Sequence, residues 1–166
     1  MNYEACEDLF HDPGVGPKLL EMMDGSTWAK DLTEDDIKRL CKYLRLCRYD
    51  KDAVIFHEGD PDDSMAIILE GSIEITKRDS SPDHVPKCLV RIGPGRAFGE
   101  LALIEGPPRS ATARAMDDVA LLMLTREDYD RLCAKDMMLA LKVTTNIARL
   151  MSFRLRNTSV KLVEYL

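Results

Sequence analysis

Several features that would place this chain outside the ordinary class of soluble globular proteins are missing from its 166 residues. No apolar run approaches the roughly 20 residues that a membrane-spanning helix needs, and 31% of the residues are charged. The acidic N-terminus, Met1–Asp8, lacks the basic and apolar regions of a signal peptide. We therefore expect one soluble, cytoplasmic domain with no membrane contact, whose core comes from the 45% of residues that are hydrophobic.

Cysteine and histidine are few and scattered. The three histidines show no ligand spacing, which disfavours a metal-binding jelly roll such as a cupin. The five cysteines are odd in number and form no CxxC pair, which favours reduced thiols. These cysteines are Cys6, Cys41, Cys47, Cys88 and Cys133. We predict neither a metal nor a cofactor.

An excess of positive charge is also missing. The formal net charge of −6 disfavours nonspecific binding to nucleic acid. The C-terminal segment is locally basic, but a basic stripe alone is a weak signal. A solvated helix face, or a surface complementary to an acidic ligand or partner, explains it better than contact with DNA.

The order of local patterns predicts helix, then strand, then helix within a single domain. Residues 1–45 are predicted as a helical segment, in which Thr33 caps a helix and Asp36 occupies its third position. Residues 46–125 contain short apolar runs separated by Gly, Pro and Asp turns, as in a barrel or jelly roll. Residues 126–166 return to helix, with no Gly or Pro after residue 136. The predicted fold class is α+β, mainly β: a double-stranded β-helix or jelly-roll barrel with N-terminal helices and a long C-terminal helix.

Two connections within the barrel are predicted from turn chemistry. The runs on either side of Glu70 and Gly71 suggest a hairpin over residues 65–76 with a two-residue turn. The polar stretch Arg78–Pro86 is predicted as an exposed hairpin tip.

The most informative segment is residues 98–115, FGELALIEGPPRSATARA. It carries a carboxylate, Glu100, and a guanidinium, Arg109, at the two ends of a short apolar turn. A guanidinium presents a planar fork of donors that matches phosphate oxygens, and free amides at a helix start add partial positive charge. Glu100 is an acceptor suited to a sugar hydroxyl. Because no base, nucleophile or metal ligand accompanies the pair, the segment predicts binding rather than catalysis.

Residues 98–115 closely resemble the phosphate-binding cassette of cyclic nucleotide-binding domains. That family includes catabolite activator proteins, regulatory subunits of cAMP-dependent protein kinase and gated channels. Phe98-Gly99-Glu100, Arg109-Ser110-Ala111 and Arg114-Ala115 match the family pattern in order and spacing, and the resemblance extends over roughly residues 28–160. It implies that Glu100 binds the ribose 2′-hydroxyl and Arg109 the cyclic phosphate. The implied ligand-binding residues are Gly99, Glu100, Leu101, Ala102, Arg109, Ser110, Ala111, Thr158 and Ser159.

The resemblance favours cAMP as the ligand. Family members with Ala or Ser after the cassette Arg often prefer cAMP, whereas those with Thr often prefer cGMP. The hydroxyl of Ser110 is still able to hydrogen-bond a guanine amino group, so cGMP stays open.

The last helix carries a second clue, an apolar seam with alternating spacings of 3 and 4. Its members are Ala148, Met151, Leu155, Thr158, Leu162 and Tyr165. The seam either packs on the barrel of its own chain or pairs with a second copy, and we expect a homodimer. The family resemblance places Thr158 and Ser159 against the base, while an alignment one turn earlier places Arg154 and Leu155 there.

We therefore expect a cyclic nucleotide sensor that signals through helix movement and contact with an unknown downstream protein. Family transcription factors continue into a helix-turn-helix domain, which has no counterpart before the end at Leu166, so no DNA-binding domain is expected. The alternatives are a related barrel that acts as an interaction protein without nucleotide and an enzyme on a jelly roll. Glu100 and Arg109 argue against the first, and the lack of catalytic clusters argues against the second.

Overall fold

The computed structural model describes residues 13–26, 28–78 and 85–164. The helices are α1 (Gly16–Gly25), α2 (Glu34–Cys41), α3 (Glu100–Glu105), α4 (Arg126–Lys135) and α5 (Met137–Glu164). The strands are β1 (Arg45–Tyr49), β2 (Val54–Phe56), β3 (Met65–Glu70), β4 (Ile73–Arg78), β5 (Pro86–Ile92), β6 (Ala97–Phe98), β7 (Thr112–Ala115) and β8 (Val119–Leu124).

The strands form two antiparallel sheets of four. The first has the order β1-β8-β3-β6 and the second the order β2-β7-β4-β5. Apart from the consecutive strands β4 and β5, neighbours in each sheet come from separate parts of the chain, as in a jelly roll. The predicted fold class, α+β with a jelly-roll barrel and helices at both ends, is confirmed.

The first sheet lies between the helices and the second sheet, so both of its faces are buried. Strand β8 shows this most clearly, because all six of its residues are buried. Leu122 and Leu124 belong to the core beneath the helices, whereas Leu121 and Met123 belong to the core between the sheets. A strand covered on both faces needs a continuous apolar run rather than polar–apolar alternation, and residues 119–124 have one.

Two helix starts follow from their capping residues. The Thr33 hydroxyl accepts a hydrogen bond from the Asp36 amide, and the Asp36 carboxylate accepts one from the Thr33 amide, so the predicted cap is confirmed. The Thr125 side chain caps α4 by accepting from the Asp128 amide. The long C-terminal helix is also confirmed, since α5 runs for 28 residues without interruption.

The predicted hairpin over residues 65–76 is wrong in its pairing. The chain does turn at Gly71, whose φ is +77°, but β3 and β4 lie in different sheets. A Cβ at position 71 would overlap the backbone carbonyl of Asp118, so only glycine allows the crossing. In the second predicted hairpin the two strands do pair with each other, since β4 and β5 are hydrogen-bonded as far as Arg78 and Pro86. Its tip, at residues 79–84, lies outside the described part.

Polar contacts join α5 to the N-terminal helices. The buried Asn146 amide donates to the Lys30 carbonyl at 2.7 Å, and the Lys142 ammonium contacts the buried Asp36 carboxylate at 2.6 Å. Burial by itself would raise the pKa of Asp36, but hydrogen bonds from Lys142 and Thr33 outweigh it and lower the pKa to about 2. These contacts hold the first half of α5 in place and leave its second half to extend beyond the core.

Candidate functional site

A cavity of about 940 Å³ opens between the barrel and the second half of α5. Strands β4 and β5 form one wall, and residues 98–102 and 109–111 form another. The third wall is α5, from Leu150 to Thr158. This volume lies near the upper end of the roughly 300–1,000 Å³ that small-molecule sites occupy.

Arg109 is the most buried of the charged residues that line the cavity, and only 2% of it is exposed. Its Nη2 donates to the Asp62 carboxylate at 2.6 Å and to the Ser64 hydroxyl at 2.8 Å. Its Nη1 donates to the carbonyls of Ser64 and Gly99. The guanidinium carbon lies 3.9 Å from the centre of the Phe56 ring, a cation–π contact. The guanidinium is therefore held rigidly before any ligand arrives.

Gly99 permits this close approach. Its φ is +78°, in the left-handed region that side chains rarely adopt. A Cβ there would lie 2.6 Å from Arg109 Nη1 and 3.1 Å from the Ser64 carbonyl oxygen. Gly99 is thus needed both for the turn into α3 and for the position of Arg109.

Glu100, the first residue of α3, is 3% exposed. Its Oε1 accepts a hydrogen bond from Arg154 Nη1 of α5. The second Arg154 nitrogen, Nη2, donates to the Ala97 carbonyl at 2.5 Å. The Arg154 side chain therefore hydrogen-bonds both the Glu100 carboxylate and the backbone that leads into α3.

Glu100 and Arg109 each keep one buried polar atom without a partner. Within the part of the chain that the structure describes, the buried side-chain nitrogens and oxygens without a hydrogen bond are Trp28 Nε1, Glu100 Oε2 and Arg109 Nε. Two of the three belong to residues that line the cavity, and they are one acceptor and one donor. A buried polar group without a partner is costly, so both residues keep unused hydrogen-bonding capacity beside the cavity.

Comparison with known proteins agrees with this geometry. The family model described as "Cyclic nucleotide-binding domain" matches residues 46–136, which is more than half of the chain. The chain belongs to the cyclic nucleotide-binding domain family.

Three similar proteins illustrate the relationship. The domain is 29% identical over 140 residues to the cyclic AMP receptor protein of Thermus thermophilus, covering 84% of this chain and 62% of that protein. A cyclic nucleotide-binding domain from Methylobacillus flagellatus superimposes with a TM-score of 0.79 at 25% identity, covering 90% of this chain and 83% of the other. The regulatory domain of Toxoplasma gondii PKA, solved with cAMP, gives 0.63 at 26% identity over 72% and 45% of the two chains. The chain thus spans less than two thirds of the Thermus protein's length.

The remaining predicted site residues fall into two groups. The cavity is lined by Leu101, Ala102, Ser110, Ala111 and Thr158 as well as by Gly99, Glu100 and Arg109. Ser159 is not among the lining residues, and its hydroxyl donates to the Leu155 carbonyl at 2.9 Å within the helix. Both alternatives for α5, Thr158 and Arg154, line the cavity, but it is Arg154 that contacts Glu100. Base contact by Thr158 or Ser159 stays a prediction.

Sequence reasoning missed the residues that hold Arg109. Asp62 and Ser64 lie between β2 and β3, 47 and 45 positions before the arginine. Residues 59–63 are rich in Gly, Pro and Asp, which indicates only a turn. No local signal points from that turn to the cassette, because their proximity comes from strand pairing across the barrel.

The described part of the chain has neither a membrane-spanning helix nor a cluster of metal ligands. Among residues 13–26, 28–78 and 85–164, no helix is both long and apolar enough to span a membrane. The same described ranges contain no group of three or more His, Cys, Asp or Glu side chains that could hold a metal ion. The four cysteines within them are free thiols: Cys41, Cys47, Cys88 and Cys133.

Proposed function

We propose that this domain is a cyclic nucleotide sensor whose preferred ligand is cAMP. One observation carries the proposal: Glu100 and Arg109 line the same cavity, and each keeps a buried polar atom without a partner, Oε2 and Nε respectively. A cyclic phosphate offers acceptors to the Arg109 donor, and a ribose 2′-hydroxyl offers a donor to the Glu100 acceptor. A ribose cyclic monophosphate carries both of these groups.

Phosphate binding is assigned to Arg109. The residue is 2% exposed and held by Asp62, Ser64 and Gly99, so the ligand pays little to order it. A charge-assisted contact in such a dry setting contributes roughly 2–5 kcal/mol when its loss leaves a buried charge unpaired.

The test is calorimetric titration of cAMP into the parent, Arg109→Lys and Arg109→Ala, each checked for folding by circular dichroism. We expect Arg109→Lys to weaken binding by about tenfold or more, because an ammonium lacks the planar fork. Since Arg109 is buried, a second arm leaves the protein unchanged and replaces cAMP by 2′-deoxy-cAMP, which should bind more weakly. Parent-like affinity of a folded Arg109→Lys, together with equal affinity for the deoxy ligand, would contradict the proposal.

The signal is assigned to α5. Arg154 ties this helix to Glu100, the same residue whose second oxygen is assigned to the ribose. A ligand shifts a conformational equilibrium only through different affinities for its two states. Ligand contact at Glu100 provides such a difference, because it changes the group that holds α5 against the barrel.

Association is assigned to the solvent-facing stripe of α5, which we define by residues at alternating spacings of 4 and 3. The stripe comprises Met137, Leu141, Thr144, Ala148, Met151, Leu155 and Thr158. It therefore begins three turns before the predicted seam. Tyr165 and the side chain of Leu162, which the seam also includes, lie outside the described part.

The exposure of the stripe favours a second copy over packing on its own barrel. Leu155 is 69% exposed, Met137 76% and Leu141 59%, whereas Met151 packs partly against the core and the half-buried Thr144 hydrogen-bonds Tyr129. Light scattering of the parent and of Leu155→Glu tests this. We expect a dimer that the charge dissociates; a parent that stays monomeric at high concentration, with and without cAMP, would rule it out.

Ligand choice and the absence of catalysis belong to the same proposal. Ser110 lines the cavity, so competition between cAMP and cGMP decides which base is preferred. Tighter binding of cGMP would reverse the assignment to cAMP. Recovery of unchanged nucleotide after long incubation would support a binding domain rather than an enzyme.

A further inference from the structure

Strand β5 contains an irregularity that faces the cavity. In the pairing of β4 with β5, Ile75 lies opposite Val90 and Thr76 lies opposite Cys88, which leaves Leu89 as an extra residue. Such a bulge turns a side chain away from strict alternation. Leu89 and its neighbour Val90 both line the cavity, as do the residues that follow them up to Gly93.

These two side chains are exposed although they are apolar. Leu89 is 52% and Val90 46% exposed, and Phe153 of α5, which lines the same cavity, is 43% exposed. Two aliphatic side chains on one wall and an aromatic ring on another leave room for a flat apolar group. The faces of a purine base fit that description, since aromatic side chains stack on bases of any sequence.

The face of α5 that meets the cavity has regular helical spacing. Leu150, Phe153, Arg154 and Asn157 recur at i, i+3, i+4 and i+7. Thr158 lies one residue further round, at the border between the cavity and the solvent-facing stripe. Asn157 is therefore nearer the middle of the cavity face than Thr158.

The chemistry of Asn157 suits the edge of a base. No hydrogen bond of its side chain is found within the described residues, whereas the Thr158 hydroxyl donates to the Arg154 carbonyl at 3.0 Å. An asparagine amide carries one donor and one acceptor and pairs bidentately with N6 and N7 of adenine. Guanine presents two acceptors, N7 and O6, at the corresponding edge, so the amide can satisfy only one of them.

We infer that Asn157 is the residue that determines base specificity, reading the N6/N7 edge of an adenine packed among Leu89, Val90 and Phe153. The inference rests on the proposed nucleotide function and names the part of the ligand that this function leaves open. Arg109 and Glu100 hold the phosphate and the ribose of any cyclic nucleotide, whereas Asn157 distinguishes the base.

The experiment compares cAMP with 7-deaza-cAMP, which differs in lacking the N7 acceptor. Affinities are measured by calorimetry for the parent, Asn157→Leu and, as a matched control on an exposed position of α5 outside the cavity, Ser152→Ala. The parent and the control should bind cAMP roughly tenfold more tightly than the deaza ligand, since a bidentate pair discriminates by that order. Asn157→Leu, which is similar in size, should bind the two ligands equally.

Two further variants sharpen the result. Phe153→Ala should weaken both ligands by a similar factor, roughly tenfold, because stacking does not depend on N7. Thr158→Val should keep the parent's ratio between the ligands.

A ratio that persists in Asn157→Leu, or that disappears in Thr158→Val instead, would overturn the inference. Loss of affinity in Arg109→Lys would be unaffected by that outcome, so the proposed function could stand while this inference fails. Failure of the parent to bind cAMP at all would instead remove both.

Discussion

The contact between Arg154 and Glu100 predicts a measurable coupling between α5 and the cassette. The Glu100 side chain is 4% exposed and the Arg154 side chain 38%. Breaking a fully buried pair costs about 3–5 kcal/mol, whereas exposed pairs contribute about 0–1 kcal/mol. With one partner buried and the other partly wet, Arg154→Leu should lower the free energy of unfolding by about 2 kcal/mol. For a chain of this length that is a fall of roughly 4–8 °C in Tm.

A double-mutant cycle separates this pair from other effects of the substitution. Urea unfolding is followed without nucleotide for the parent, Arg154→Leu, Glu100→Gln and the double variant. Once Arg154 is gone, removing the charge of Glu100 should restore part of the lost stability, giving a coupling energy of about 1–2 kcal/mol. Arg156→Leu, an exposed position two residues away, serves as the control and should change stability by less than about 0.5 kcal/mol.

Additive effects of the two substitutions on stability would refute this reasoning. If the two single losses add to within about 0.3–0.5 kcal/mol, the residues are not coupled. Arg154 would then stabilise the domain only through the Ala97 carbonyl and the packing of its stem, and Glu100 would not transmit ligand binding to α5.

Three other predictions follow from particular sites. Lowering the pKa of Asp36 from 3.8 to about 2 contributes about 2 kcal/mol of stability above pH 4, and this contribution is lost as the pH falls through 2. The free energies of unfolding in urea of the parent and of Lys142→Met, measured between pH 6 and 2, should therefore converge at the acid end. Parallel curves would contradict this prediction. Gly71→Ala should lower the free energy of unfolding by about 2 kcal/mol or more, from strain and overlap at φ +77°, and a parent-like urea midpoint would show that the crossing relaxes. Burial raises the pKa of the Cys47 thiol to about 11. At pH 8, iodoacetamide should therefore label the exposed Cys88 at least a hundredfold faster than Cys47, as measured by mass spectrometry of the peptides. Equal labelling rates would mean that β1 opens readily.

Much of the fold was predictable because its signals are local. Thr33 and Asp36 form a cap within a single turn, and the continuous apolar run of β8 indicates a strand that is buried on both faces. The cassette is local as well, since Glu100 and Arg109 lie only nine positions apart. Spacing and residue chemistry within such a short segment limit what it can bind.

The failures arise where distant segments meet. The turn at Gly71 has the composition of a hairpin, yet β3 pairs with β6 and β8 while β4 pairs with β5 and β7. Turn residues determine how the chain reverses, but not which strand becomes the hydrogen-bonded neighbour. The bulge at Leu89 is equally hidden, because a single unpaired residue appears only when the partner strand is known.

The two halves of α5 explain why its role was hard to assign from sequence. Up to Leu150 its inner face packs on the core, and beyond that point the same face meets a cavity. Both environments favour the same 3-and-4 spacing, so periodicity alone does not distinguish a core contact from a ligand contact. Arg154 breaks the apolar pattern, and a cation on an otherwise inward-facing position is the one signal that the sequence offered.

The same helix carries three surfaces: the core face, the cavity face and the solvent-facing stripe. Because a helix is stiff over this length, a ligand that shifts Arg154 or stacks on Phe153 must also move Leu155, which lies beside them in the sequence and points toward solvent. Linkage then makes the coupling reciprocal. If cAMP binds and the stripe pairs as proposed, any factor by which cAMP strengthens or weakens pairing is the factor by which pairing changes the affinity for cAMP. In the proposed sensor, helix position, ligand occupancy and association would form a single equilibrium, and a variant that alters one without the others would separate them.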